Sequence, residues 1–256
     1  MQAEDYRADG VRVLITGATS GLGAAMAAAL LDAGAVVAIT GRDPERCARA
    51  AADLRARHGG RAVGVGLDVR DESEVEEGVA RVVDSLGGLD VLVNNAGIGM
   101  RSVNPRFLSE PQPFWDVSPA AFRDLVSTNL TGYFLMARAV APRLLAAGSG
   151  RIINVTMNHA TMVRAGFVPY GPARAGAEAL SRIMAADLAD TAVTVNLLLP
   201  GGATASGMIP DEVSTEVRQN LLPADIMGPP IRWLCSPQAS GIHDQRIVAT
   251  EFLGRP

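Results

Sequence analysis

A doubly wound α/β fold with a parallel sheet is what this sequence predicts, on three observations. Short β-branched runs alternate with longer Ala-rich stretches of helical period along most of the chain. Glycines crowd the turn after the first run, at Gly17, Gly21 and Gly23. Chemically distinctive groups, among them Asp68, Asn94-Asn95 and Pro200-Gly201, fall where such runs end. Open parallel sheets bind their ligands beyond the carboxyl ends of their strands, so this placement supports the fold and the site together.

Taken in order, Val11–Thr16 reads as the first strand, followed by a helix over Gly21–Ala33. Val36–Thr40 is the second strand, and Pro44–His58 the second helix, with Pro44 suited to a first turn after Asp43. Ala62–Asp68 is the third strand; Ser73–Leu86 is the next helix, where Ser73 and Glu76 have the spacing of a capping box. Val91–Asn94 is the fourth strand, Pro119–Ala146 a long helix, and Arg151–Val155 the fifth strand. Tyr170–Ala189 is helical, and Thr194–Leu199 and Arg246–Val248 complete seven strands. Two stretches lack periodicity. Gly99–Val117 carries Pro105, Pro111, Pro113, Phe107, Phe114 and Trp115, and Ala203–Ile226 mixes Gly, Met, Ile and Leu with acids. Each is either a surface connection or a substrate-lining loop.

At 256 residues with no linker-like stretch, the chain is expected to form one domain over residues 1–256. Hydrophobic residues are 48% and aromatics 4%, so small aliphatic side chains are expected to let helices lie close to the sheet. A net charge of −4 without a basic cluster argues against nucleic acid as a partner. Cys47 and Cys235 are too few and too far apart for a disulfide framework. With a polar N-terminus and no apolar run of membrane length, they point to a cytoplasmic protein without a membrane partner. No cluster suggests a metal site.

Three segments carry the chemistry. Thr16-Gly17-Ala18-Thr19-Ser20-Gly21-Leu22-Gly23 lies between a strand and a helix, where glycines permit a tight turn and close approach of a pyrophosphate to the helix N-terminus. Asn94-Asn95-Ala96-Gly97 ends the fourth strand. Tyr170 and Arg174, four apart, share one helix face. A phenol titrates near ~10, so it serves acid–base chemistry at neutral pH only where positive charge favours its phenolate. Together the segments resemble the short-chain dehydrogenase/reductase family, over nearly the whole chain, which implies a Rossmann-type fold. That family uses Tyr-x-x-x-Lys with a serine about thirteen residues upstream; here the lysine is Arg174 and the serine position holds Met157.

The resemblance implies a nucleotide site built from Gly17, Ser20, Gly21, Leu22 and Gly23, with Asp68 and Val69 beside adenine. Asn95, Ala96 and Gly97 follow, the asparagines bracing the turn while Ala96 and Gly97 line the nucleotide. Pro200 and Gly201 fall beside the nicotinamide, with Thr204 a candidate for its carboxamide, though the family threonine sits one residue later. Where NAD-preferring members place an acid, this chain has Gly41 followed by Arg42. A guanidinium without a carboxylate favours a 2′-phosphate, hence NADP(H) over NAD(H), unless Arg42 merely pairs with Asp43 or Glu45.

For chemistry, the resemblance makes Tyr170 the acid/base and gives Arg174 the lysine's charge and ribose contact. An arginine effectively never releases a proton, so it can hold charge but not relay protons. Asn129 matches a helix asparagine that holds a relay water, or else makes a local helix bond. With Met157 in the serine's place, Asn158 is preferred over Thr156 as the donor to an oxyanion, with His159 a further candidate. The leading expectation is an oxidoreductase acting on a carbonyl or alcohol, assembled by analogy as a homodimer or homotetramer. The alternatives are a halohydrin dehalogenase-like enzyme, which shares Tyr-x-x-x-Arg, elimination or epimerisation, and a weakly catalytic nucleotide-binding protein. Phe107, Phe114, Trp115, Met208 and Ile209 suggest an apolar substrate pocket or a subunit interface.

Overall fold

The computed structural model describes residues 6–210 and 215–254. Its strands are β1 (Arg12–Ile15), β2 (Val36–Gly41), β3 (Arg61–Gly66), β4 (Val91–Asn94), β5 (Gly150–Val155), β6 (Val193–Leu199) and β7 (Arg246–Val248). They form one seven-stranded sheet in the order β3-β2-β1-β4-β5-β6-β7, and every pairing is parallel. The order reverses direction between β1 and β4, which opens a crevice at their carboxyl ends.

Helices α1 (Gly21–Asp32), α2 (Pro44–His58) and α3 (Glu72–Leu86) alternate with the first strands. The chain continues through α4 (Pro119–Val126), α5 (Gly132–Ala146), the short α6 (His159–Met162) and α7 (Tyr170–Asp187) to α8 (Thr215–Gln219) and α9 (Gly228–Cys235). Strand alternation divides the core in two. Val13, Ile15, Val37 and Ile39 face Met26, Leu30, Ile231 and Trp233 of α1 and α9. Leu14, Ala38 and Leu92 face Val79 and Val82 of α3 and Met136 and Val140 of α5. Because successive strand residues point oppositely, a continuous apolar run is what such a doubly covered sheet requires. Glycine enforces the closest approach: a Cβ at Gly64 would stand 2.2 Å from the Cys47 carbonyl oxygen on α2.

Several expectations change at this level. The α3 cap is Asp71, whose carboxylate accepts from the Glu74 N–H at 2.9 Å, not Ser73 with Glu76. The expected helix over 119–146 contains a π-helical segment at Ser127–Thr131. Helix α9, to which no sequence expectation attaches, carries Pro229 and Pro230 in its first turn, where a missing N–H costs nothing. Arg12 at the start of β1 donates to Asp90 from its backbone N–H (2.8 Å), Nε (2.9 Å) and Nη2 (2.5 Å), tying β1 to the turn before β4. Burial acts to raise the Asp90 pKa, but the Arg12 bonds and charge outweigh it and hold the carboxyl below its ordinary value. Among the described residues, no helix is long and apolar enough to cross a membrane.

Candidate active site

The carboxyl ends of β1, β2, β4, β5 and β6 open onto one continuous cleft of about 1290 Å³. It is lined by Gly17, Ser20, Gly21, Leu22, Arg42, Asp68, Val69, Asn95, Ala96, Gly97, Asn158, Tyr170, Arg174, Pro200, Gly201 and Thr204. Gly23 and Asn129 are absent from the lining and act from behind it.

At one end is a glycine cradle. Gly17 and Gly21 have φ of +61° and +59°, a region costly for other residues. A Cβ on Gly17 would lie 2.6 Å from the Ala96 Cα, and one on Gly23 2.6 Å from the Asn95 amide nitrogen. Thr16 locks the two motifs together: its hydroxyl oxygen accepts from the Asn95 and Ala96 N–H groups, each at 2.9 Å. The Asn95 side-chain amide donates to the Thr16 carbonyl at 2.9 Å and to that of Gly17 at 3.1 Å, so it braces the turn. Helix α1 opens with Ser20, whose side chain makes no cap bond, and has no acid in its first turn. Its N–H groups are thus disposed to an anion, and a dinucleotide pyrophosphate fits this cradle.

Beyond the cradle the lining sets Arg42, Arg46 and Arg70 among Asp43, Asp68 and Asp124. A Cβ on Gly41 would meet Thr19 Cγ2 at 3.2 Å and Cys47 Sγ at 3.3 Å, which leaves little room for an acidic side chain. Asp43 directs its carboxylate to the Arg46 N–H at 3.1 Å as the α2 cap. Arg46 also lines the cleft and donates to the Ser20 hydroxyl at 3.4 Å. Sequence reasoning singled out Arg42 and missed Arg46, which reaches the same end of the cleft from the first turn of α2. Asp68 is clamped by Arg70, with a closest contact of 2.6 Å; chiefly through these bonds its pKa is lowered. Arg70 reaches on to Asp124 as well.

At the other end Tyr170 and Arg174 project from the first turns of α7. Arg174 is 4% exposed, so its charge is fully within the protein. Its Nη1 donates to the Tyr133 hydroxyl at 2.7 Å and to the Val155 carbonyl at 3.0 Å. The guanidinium carbon stands 5.5 Å from the ring centroids of both Tyr133 and Tyr170. Burial works to lower the Arg174 pKa, but the two phenols and the bonds to them raise it more, so the net direction is up. Buried Tyr133 is raised by desolvation, with Arg174 offsetting part of the effect.

The remaining chemical candidates each have structural partners. Asn129, held in the π-helical segment, accepts from the Ile98 N–H and donates to the Ile98 carbonyl, both at 2.8 Å. Its side chain therefore latches the loop after β4 in place of the local helix bond. Asn158 lines the cleft and donates one of its two amide N–H groups to the Gly201 carbonyl at 2.8 Å, bracing the loop after β6. Thr156 turns away to Glu178 (3.1 Å), and His159 contacts the same carboxylate at 2.9 Å. Met157 and Tyr170 instead pack on the cluster of Met100, Phe107 and Phe167. The position beside the tyrosine thus holds a thioether.

Around Tyr170 the cleft mixes apolar side chains with Arg101, Ser102 and Arg164. Phe107 meets Phe167 edge to face at 5.6 Å, and the Tyr170 hydroxyl lies 4.0 Å from the Met208 sulfur. Met208 and Ile209 line the cleft with Phe107, whereas Phe114 and Trp115 are 67% and 72% exposed and do not. Thr204 forms a bridge with Leu222 and its hydroxyl donates to the Gly202 carbonyl at 3.3 Å. Residues 211–214 of the expected substrate loop lie outside the described residues. Among the described residues, no group of three or more His, Cys, Asp or Glu could hold a metal ion.

Residues 11–216 match the family model for short chain dehydrogenase. A gluconate 5-dehydrogenase from Gluconobacter oxydans is 33% identical over 196 residues, which is 77% of this chain and 72% of that protein. A solved 3-ketoacyl-(acyl-carrier-protein) reductase from Brucella melitensis, complexed with NADH, superposes with a TM-score of 0.82 at 29% identity, covering 94% of this chain and 96% of that one. A gluconate 5-dehydrogenase from Burkholderia cenocepacia, complexed with NADP and tartrate, does so with a TM-score of 0.84 at 27% identity, covering 96% of each chain.

Proposed function

The chain belongs to the short-chain dehydrogenase family, and we propose that it is an NADP(H)-linked oxidoreductase interconverting a ketone or aldehyde with its alcohol. The observation that carries this reading is that Tyr170, Arg174 and the glycine cradle line one cleft. A bound nicotinamide nucleotide supplies or accepts the hydride. Tyr170 gives its hydroxyl proton to the carbonyl oxygen in reduction and takes it back in oxidation. Arg174 stays charged throughout, so negative charge on the tyrosine oxygen has a fixed counter-charge. The tyrosine is recharged with protons from the cleft mouth, since arginine does not relay them. Arg42 and Arg46, with no carboxylate at Gly41, support a 2′-phosphate. Solved relatives hold NADP in one case and NADH in another, so the choice rests on this chain's own residues.

One observation favours a second reading. Met157 stands in the serine's place, which suits weak turnover or a non-redox reaction such as elimination or epimerisation. The open cradle at Gly21 to Gly23 speaks against a dehalogenase-like site.

Nicotinamide fluorescence decides among these. NADPH is expected to bind at least about tenfold tighter than NADH, and an Arg42→Ala/Arg46→Ala double variant to lose that preference. No binding of either nucleotide at about 1 mM would sink the proposal. Binding without oxidation by a broad carbonyl panel would transfer support to the second reading. The same proposal includes residues 99–117 and 203–226 as substrate loops of one domain, a cytoplasmic location consistent with two free buried cysteines, and a homodimer or homotetramer. Exposed Phe122, Phe134, Leu145 and Ile183 on α4, α5 and α7 offer an apolar face for such assembly, which light scattering after size exclusion tests.

A further inference from the structure

We propose that Tyr133 is a positioning residue for Arg174, so that an arginine works at this place only with the tyrosine hydroxyl beneath it. The inference rests on the proposed function for its catalytic meaning, though not for its physical core. A guanidinium is planar, bulky and needs partners for several N–H groups once buried. Here Nη1 donates to the Tyr133 hydroxyl at 2.7 Å and the Val155 carbonyl at 3.0 Å, while that hydroxyl itself donates to Val155 at 3.0 Å. These bonds draw one edge of the guanidinium down to the end of β5. Nη2 is left against Gly97, where a Cβ would stand 2.5 Å from it. Nε is buried without a partner.

Tyr133 is itself held hard. It is 2% exposed, its ring faces the guanidinium, and its backbone carbonyl accepts from Asn94 at 3.2 Å. It follows the π-helical segment at Ser127–Thr131, so the backbone that fixes Asn129 also carries the tyrosine. The arrangement orients the charge: Nη1 points into the core, and Nη2 is the N–H group presented at Gly97 on the cleft side. A lysine would need none of this, because an ammonium is a compact charge on a flexible stem.

The test is a double-mutant cycle of Tyr133→Phe and Arg174→Lys, read in three ways: kcat and KM, NADPH affinity by fluorescence, and urea stability. Tyr133→Phe keeps the ring and removes only the hydroxyl. It is expected to lower kcat about tenfold with a smaller change in substrate KM, and to have no further effect in the Arg174→Lys background. The stability effects should be non-additive in the same sense. Additive effects in all readouts, or a Tyr133→Phe variant with wild-type kcat, would overturn the proposal. If no carbonyl is turned over, the functional reading fails, while affinity and urea coupling still judge the pair. Should Tyr133→Phe alone not fold, recovery of a folded protein by adding Arg174→Lys supports the pairing. Failure of both variants would reduce Tyr133 to a core residue.

Discussion

A tyrosine that must release and regain a proton needs a neighbouring charge that does not move with pH, and Arg174 meets that need more rigidly than a lysine. Its pKa is pushed up further by two phenols, so its charge is constant over the whole range in which the protein is folded. Any acid limb or basic limb in kcat therefore belongs to other groups. Tyr170→Phe removes the transferable proton and little else, since its recorded partners are the Met208 sulfur and the guanidinium. It is expected to lower kcat on the order of 10³-fold with NADPH affinity within about twofold of wild type. Retained turnover would take the tyrosine out of the proposed chemistry. Gly97→Ala makes a complementary point, because its Cβ would fall 2.5 Å from Arg174 Nη2 and 3.1 Å from Asn129 Oδ1. One methyl group there should displace both side chains, weakening nucleotide binding as well as turnover, and an unchanged titration would contradict the close approach.

Elements rather than single residues decide how the loop after β4 is held. The π-helical segment adds a residue to the turn, and Asn129 uses the changed angle to satisfy both backbone groups of Ile98. Asn129→Ala would orphan those groups and is expected to cost about 1–3 kcal/mol in urea unfolding. A weaker nucleotide affinity should accompany it, since Ile98 adjoins Gly97; a neutral result would mean that the latch is dispensable. The strands were legible in the sequence because a sheet covered on both faces demands unbroken apolar runs, and the cradle because glycine alone tolerates its φ values. The Asp71 cap could have been read locally, but Ser73 with Glu76 offered a competing pattern two residues on. The Tyr133–Arg174 bond left no such trace, as its partners are 41 residues apart on different helices. For the same reason Asn158 read as a free amide until β6 brought Gly201 beside it.

For the molecule as a whole, acid stability follows from where carboxylates are tied between elements. Asp90 joins the start of β1 to the turn before β4, and Asp68 is held through Arg70 to Asp124 on α4. Both carboxyls lie below their ordinary pKa in the folded state. An unfolded aspartate titrates near ~3.9, so between that value and the lower folded one the unfolded chain binds more protons. The stabilisation is therefore complete above about pH 5 and is lost as pH falls through the folded value. Both groups are partly open to solvent, so each contributes only about 1 kcal/mol. The urea midpoint is expected to fall from about pH 5 to pH 3, and Asp90→Asn should lower the midpoint at pH 7 while flattening that acid limb. Equal steepness in the variant would assign the acid sensitivity elsewhere. Because β1 carries the glycine cradle at its far end, Asp90→Asn, which loosens the tie at Arg12, should also weaken NADPH binding at pH 7. An unchanged nucleotide affinity in Asp90→Asn would show that the sheet isolates the cleft from its opposite edge.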